Sequence, residues 1–153
     1  MQSNKLEIKA ALQVQKQPDE VFDAIVDPAK MSNYFISEST GRMEEGRSLV
    51  WRFPEFDMDV PVRVGRIEKG NYVSYYWGEQ DKELLVEISL TPFGDTSTIV
   101  TVTEKEMNND EAGIKWLMGN TEGWANFLAC MKAYLEYGIN LRKGAFDFRA
   151  GEM

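Results

Sequence analysis

The chain has 153 residues, 43% apolar and 12% aromatic, with 17 Lys and Arg against 25 Asp and Glu, one cysteine and no histidine. A net charge of −8 opposes general binding to nucleic acid or to an anionic membrane, both of which need clustered cations. The missing imidazole removes the usual general base and the commonest metal ligand, and a lone Cys130 cannot form an internal disulfide.

The first segment, 5–16, alternates Leu6, Ile8, Ala10, Leu12 and Val14 with polar or small residues, the period of a half-buried strand. Pro18-Asp19 ends it, and 18–25 carries acids in its first turn and Val21, Phe22 and Ile25 on one face, predicting a helix. Asp27-Pro28 interrupts that helix and opens a second short one through Met31 toward Tyr34 and Phe35. The reading is then β. Glu45-Gly46, Lys69-Gly70-Asn71, Gly78 to Lys82 and Pro92 to Asp95 are turns. Between them lie Leu49–Phe53, Met58–Val64, Tyr72–Trp77, Leu84–Leu90 and Thr96–Glu104. Pro61 predicts an edge or a bulge, and Tyr72–Trp77 has aromatics on both faces, room for a homodimer contact beside a monomer. Past Asn108–Asp110, a helix N-cap, the period becomes three and four through Trp124, Phe127, Leu128, Met131, Leu135 and Ile139. This predicts one long amphipathic helix to about Arg142, with Gly144 beyond. The expected architecture is one α+β domain over 1–153, a curved antiparallel sheet of six to seven strands around a long C-terminal helix, with two short helices after the first strand. Residues 1–10 carry no apolar run of signal-peptide length and no stretch approaches membrane-spanning length, so a cytoplasmic location is expected.

Four local motifs in this order carry a resemblance: Pro18-Asp19-Glu20-Val21-Phe22 with Asp27-Pro28 and Tyr34-Phe35; Tyr75-Tyr76-Trp77; Leu90-Thr91-Pro92 with Thr98; and Gly123-Trp124. From Leu6 to about Leu141 the chain resembles the activator of heat-shock-protein-90 ATPase homologue family, within the START-like (SRPBCC, birch-pollen-allergen-like) superfamily. The resemblance implies a helix-grip fold with an internal cavity. It implies function only loosely, because members include chaperone stimulators, carriers of lipids or hormones, and some cyclases and hydrolases.

A cavity between sheet and helix would be lined by Trp51, Phe53, Met58, Tyr75, Trp77, Trp116, Trp124, Phe127 and Met131. Broad rings and flexible thioethers suit a small apolar or amphipathic guest. Tyr75 offers a phenol as polar contact and Arg63 a cation for an acid-bearing guest. No cofactor and no metal are expected. Asp59 and Glu87 fall opposite the apolar sets and read as solvent-facing. Asp57 and Asp59 lack the loop of a cation site. Without a histidine nearby, Cys130 reads as a small buried thiol. Gly123 reads as a place where the last helix approaches the sheet closely. Noncatalytic binding of a small hydrophobic molecule is the expected function. A chaperone-associated role and a cyclase- or hydrolase-like activity through tyrosine and carboxylates are the alternatives.

Overall fold

The computed structural model describes residues 4–79 and 82–150. The elements run β1 (Lys5–Val14), α1 (Pro18–Val26), α2 (Pro28–Met31), β2 (Glu38–Ser39), β3 (Ser48–Phe53), β4 (Phe56–Glu68), β5 (Tyr72–Glu79), β6 (Lys82–Phe93), β7 (Ser97–Asn108) and α3 (Glu111–Tyr137), with a short 3₁₀ turn at Asp147–Arg149. The expected turn at Gly78 to Lys82 includes Gln80 and Asp81, which lie outside the described residues, as do 1–3 and 151–153.

Alternation decides the sheet. Along β6, Leu84, Val86, Ile88 and Leu90 are buried, and along β7, Thr98, Val100 and Val102 are. One pleat face therefore carries the core and the other faces water. The strands form one antiparallel sheet in the order β1-β7-β6-β5-β4-β3-β2. Helix α3 runs closest to β1 and β7, so the space on the β3–β5 side is spanned by large side chains from α2, its following loop and the strands. This is the helix-grip arrangement, α+β with a seven-stranded curved sheet around the last helix.

Asp110 caps α3 by accepting a hydrogen bond from the Gly113 N–H at 2.8 Å. A Cβ at Gly113 would lie 1.8 Å from the Asn108 carbonyl oxygen, so the helix start fits only without a side chain there. The helix stops at Tyr137, five residues before the expected end. Gly138 takes φ 66°, and its N–H and that of Ile139 return to the carbonyls of Tyr134 and Ala133. The apolar period continues through Ile139, but a left-handed glycine cap ends the helix first, leaving Ile139 exposed.

Two irregularities in β4 shape the sheet. Val64 opposes Tyr75 and Ile67 opposes Val73, so Gly65 and Arg66 form a bulge against Ser74. Toward the other end, the β4–β5 ladder stops at Arg63–Tyr76 among the described residues. Pro61 explains the stop. It opposes Val50, whose N–H and C=O both bond to Thr40 on the β2 side. Pro61 is thus in a non-hydrogen-bonded pair with β3 and turns its nitrogen toward β5, where it has no N–H to give. β4 is an interior strand in the order, but this half of it behaves as an edge.

Candidate functional site

The interior between sheet and α3 is filled by rings. Phe35, delivered by the turn after α2, lies 4.7 Å from Phe127, 5.1 Å from Phe53 and 5.9 Å from both Trp51 and Trp124, centroid to centroid. Tyr75 sits edge-on between Trp51 at 5.1 Å and Trp77 at 5.3 Å. Such pairs contribute about 0.5–1.5 kcal/mol each beyond their area burial. Trp51, Tyr75 and Phe127 are at most 1% exposed. The Tyr75 hydroxyl is buried without a partner. Burial, and next the Glu104 carboxylate, pushes its ionisation well above the usual tyrosine range.

At the edge of this cluster lies Glu104, a fully buried acid in phase with Val100 and Val102 on β7. One carboxylate oxygen accepts from Trp124 Nε1 at 2.8 Å and from Asn120 Nδ2 at 3.2 Å. The other accepts from Trp77 Nε1 at 2.8 Å. The two indoles lie 5.7 Å apart, 33° from parallel. One carboxylate thus fixes a ring from β5 and a ring from α3 in a common wall, because a buried anion demands donors and these are the ones in reach.

That wall faces open space. A first cleft of about 840 Å³ lies between β3, β4 and the end of β5. It is lined from both sheet faces, by Val50, Pro61 and Tyr76 on the outer side and by Phe53, Trp77 and Asn120 on the inner. It lies where the described β4–β5 ladder ends. A second cleft of about 970 Å³ lies between Trp77, Trp124 and the segment after α3. Phe56, Met58, Trp77, Asn120, Arg142 and Arg149 line both. On α3 the second cleft is bounded by Gly119 and Gly123. A Cβ at either would meet nothing within 4 Å. The expected close approach of Gly123 to the sheet is therefore not found. The two glycines, one turn apart, leave bare backbone beside an open space.

The segment 138–150 crosses the mouth. Arg142 pairs with Glu55 in the β3–β4 turn, their side chains only 12% and 5% exposed. Its guanidinium lies 4.9 Å from the Phe146 ring and 5.6 Å from Phe35, and its Nε has no partner. Arg149 pairs with the exposed Glu122 at 2.7 Å and lies 4.8 Å from Phe146 and 5.5 Å from Phe148.

Of the residues expected at a site, Phe53, Met58, Trp77, Trp124 and Arg63 border these clefts. Trp51, Tyr75 and Phe127 form the packed cluster behind them, and Trp116 and Met131 are buried along α3. Met58 is 45% exposed. Asp57, Met58 and Asp59 bulge out between the Trp51–Val60 and Phe53–Phe56 pairs, and both acids hold Arg52, at 2.5 and 2.8 Å. Arg63 lies on the outer face, 2.7 Å from Glu83 and over the Tyr76 ring at 4.1 Å. Cys130 is buried, and desolvation raises its thiol ionisation. Among the described residues no group of acids and thiol could hold a metal, and no helix is long and apolar enough to cross a membrane. Sequence reasoning missed Glu104 and the Glu55–Arg142 pair. Glu104 was detectable as an acid in register with two valines. Arg142 gave no signal, since the helix was expected to run through it.

Residues 15–136 match the family model described as Activator of Hsp90 ATPase homolog 1-like protein. No curated protein matches. Among solved structures, SSP2350 from Staphylococcus saprophyticus is 31% identical over 90% of this chain and 96% of its own, with TM-score 0.78. DynU16, of the dynemicin biosynthetic locus, aligns over 88% of this chain and 48% of its own at 22% identity and TM-score 0.77. The Aha1 dimer from Colwellia psychrerythraea aligns over 87% and 98% at 15% identity and TM-score 0.75. The last two show the fold alone. With the family model spanning most of the helix-grip unit, the chain belongs to the Activator of Hsp90 ATPase homolog 1-like family.

Proposed function

We propose that the protein binds a small hydrophobic or amphipathic molecule, noncovalently, in the joined clefts at the open end of the grip. One observation carries this reading. Gly119 and Gly123 each cost the helix about 1 kcal/mol relative to alanine, no neighbour would obstruct a Cβ at either, and both border a cleft walled by Trp77 and Trp124. A helix that gives up stability beside empty aromatic space is shaped for something that occupies that space. The reading places the guest at the mouth rather than beneath the helix, where the rings already meet.

The test uses phenylnaphthylamine, a neutral apolar probe that brightens on leaving water. The protein should enhance its emission saturably, and Gly123→Leu should abolish the enhancement while circular dichroism stays unchanged. Equal enhancement by Gly123→Leu would remove this cleft as the site. A second reading, association with a chaperone, is supported by the family's description. Stimulation of a chaperone ATPase that survives Gly123→Leu would favour it over the first.

A further inference from the structure

The geometry points to an acid as the guest of the joined clefts: an apolar body bearing one oxyanion, held by Arg149 and Arg142 at the mouth. This inference rests on the binding reading above and adds the polarity of the guest.

Charge supplies the first argument. The chain carries −8 overall, which repels an anion from the surface at large. Around the joined clefts that excess is absent: among the described lining residues, four cations balance four acids. Among the described residues lining the first, Arg63, Lys82, Arg142 and Arg149 stand against Glu55, Asp59 and Glu83. Among the described residues lining the second, Arg149 and Arg142, the latter already paired with Glu55, stand against Glu122. Among the described residues, the charged ones common to both clefts are the two arginines.

Hydrogen-bonding capacity supplies the second. A guanidinium carries five N–H donors. Arg142 is mostly buried against rings, binds Glu55, and leaves Nε unpaired. Arg149 binds one carboxylate oxygen, through Nη2. Its partner Glu122 is 64% exposed at the side chain, so that pair is worth little and yields readily. A carboxylate or sulfonate entering the mouth would take over Arg149 with Trp77, Met58 and Phe56 beside its apolar body. A neutral guest would leave the arginines as they are.

Two probes sharing one ring system separate the contributions: neutral phenylnaphthylamine and its sulfonated counterpart, anilinonaphthalene sulfonate. At low salt the wild-type protein should bind the sulfonate more tightly than the neutral probe. Arg149→Gln should cut that preference about fivefold, the scale of one partly exposed charge contact. Glu122→Gln, which frees Arg149, should raise it. High salt should erode the preference without affecting the neutral probe. If both probes bind equally and neither variant changes their ratio, the acid proposal is overturned while the binding reading stands. If neither probe binds, both are overturned.

Discussion

Replacing Glu104 by glutamine tests whether one carboxylate holds the aromatic wall together. In the wild type its two oxygens serve three donors, from Trp77, Trp124 and Asn120. The amide keeps one acceptor oxygen, which can serve Trp124 and Asn120 where they already converge. Its nitrogen then faces Trp77 Nε1 across what was a 2.8 Å bond, donor against donor. One charge-assisted bond is lost, worth about 1.5–3 kcal/mol, and two buried donors are left without acceptors, at roughly 1–3 kcal/mol each. Against this stands relief from burying a charge that has no cation in contact, which is worth several kcal/mol. We expect a net loss of about 2 kcal/mol, because the three donors already compensate the charge in the folded state. That is a fall in Tm of roughly 4–8 °C for a domain of this size, read by urea and thermal unfolding. Near-ultraviolet circular dichroism should report loosened indoles. In the Glu104→Gln background, Trp77→Phe removes the opposed donor, so the double variant should be more stable than the sum of the singles by about 1 kcal/mol or more. A Glu104→Gln protein as stable as wild type, with unchanged indole dichroism and additive singles, would refute the reasoning. The acid would then be a burden the fold tolerates and not the acceptor that orients the rings.

Three further outcomes are expected. Gly119→Ala and Gly123→Ala should each stabilise the protein by up to about 1 kcal/mol in denaturant unfolding, whereas Gly113→Ala should destabilise it, since its Cβ would collide with the Asn108 carbonyl. Glu55→Gln should cost about 3 kcal/mol by leaving the Arg142 guanidinium buried and unpaired. Glu122→Gln, at an exposed pair, should cost under about 1 kcal/mol by the same unfolding assay. Burial raises the ionisation of Tyr34 well above 10.0, with Tyr134 adding to it, and that of Tyr75 likewise, with Glu104 adding. The folded state therefore holds these protons more tightly than the unfolded chain. The stability they contribute is complete below pH 10 and is lost as pH rises beyond it. Phenolate absorbance should show two of the six tyrosines titrating only with unfolding.

Much of the fold was legible because pleat and helix periods are written in side-chain type. Val100 and Val102 point one strand face inward, and Trp124, Phe127 and Met131 place one helix stripe on it. Reading failed where a single backbone event overrides a period. Gly138 ends α3 although the apolar spacing runs on to Ile139, and the Asp57–Asp59 bulge carries Met58 to the surface. The site was legible only in part for a different reason. Alternation says which residues face inward, but not which inward residues touch one another and which border a void. Trp51 and Trp77 share a face, yet only Trp77 lines both clefts. The difference depends on Phe35, which arrives from the loop after α2 and plugs the deep end. Glu104 was legible in principle, since an acid in step with valines must find donors.

The interrupted pairing beside Pro61 makes the sheet two leaves joined along part of one seam. The larger leaf, β1-β7-β6-β5, carries Trp77, and the smaller, β4-β3-β2, carries Phe53 and Phe56. Beyond Arg63 and Tyr76 no ladder pair joins them among the described residues, so the gap there is bordered by side chains, Met58 and Trp77 among them. Under the binding reading, guests of unequal girth could be met there by rotamer changes of the exposed Met58, at lower cost than repacking a close-packed interior.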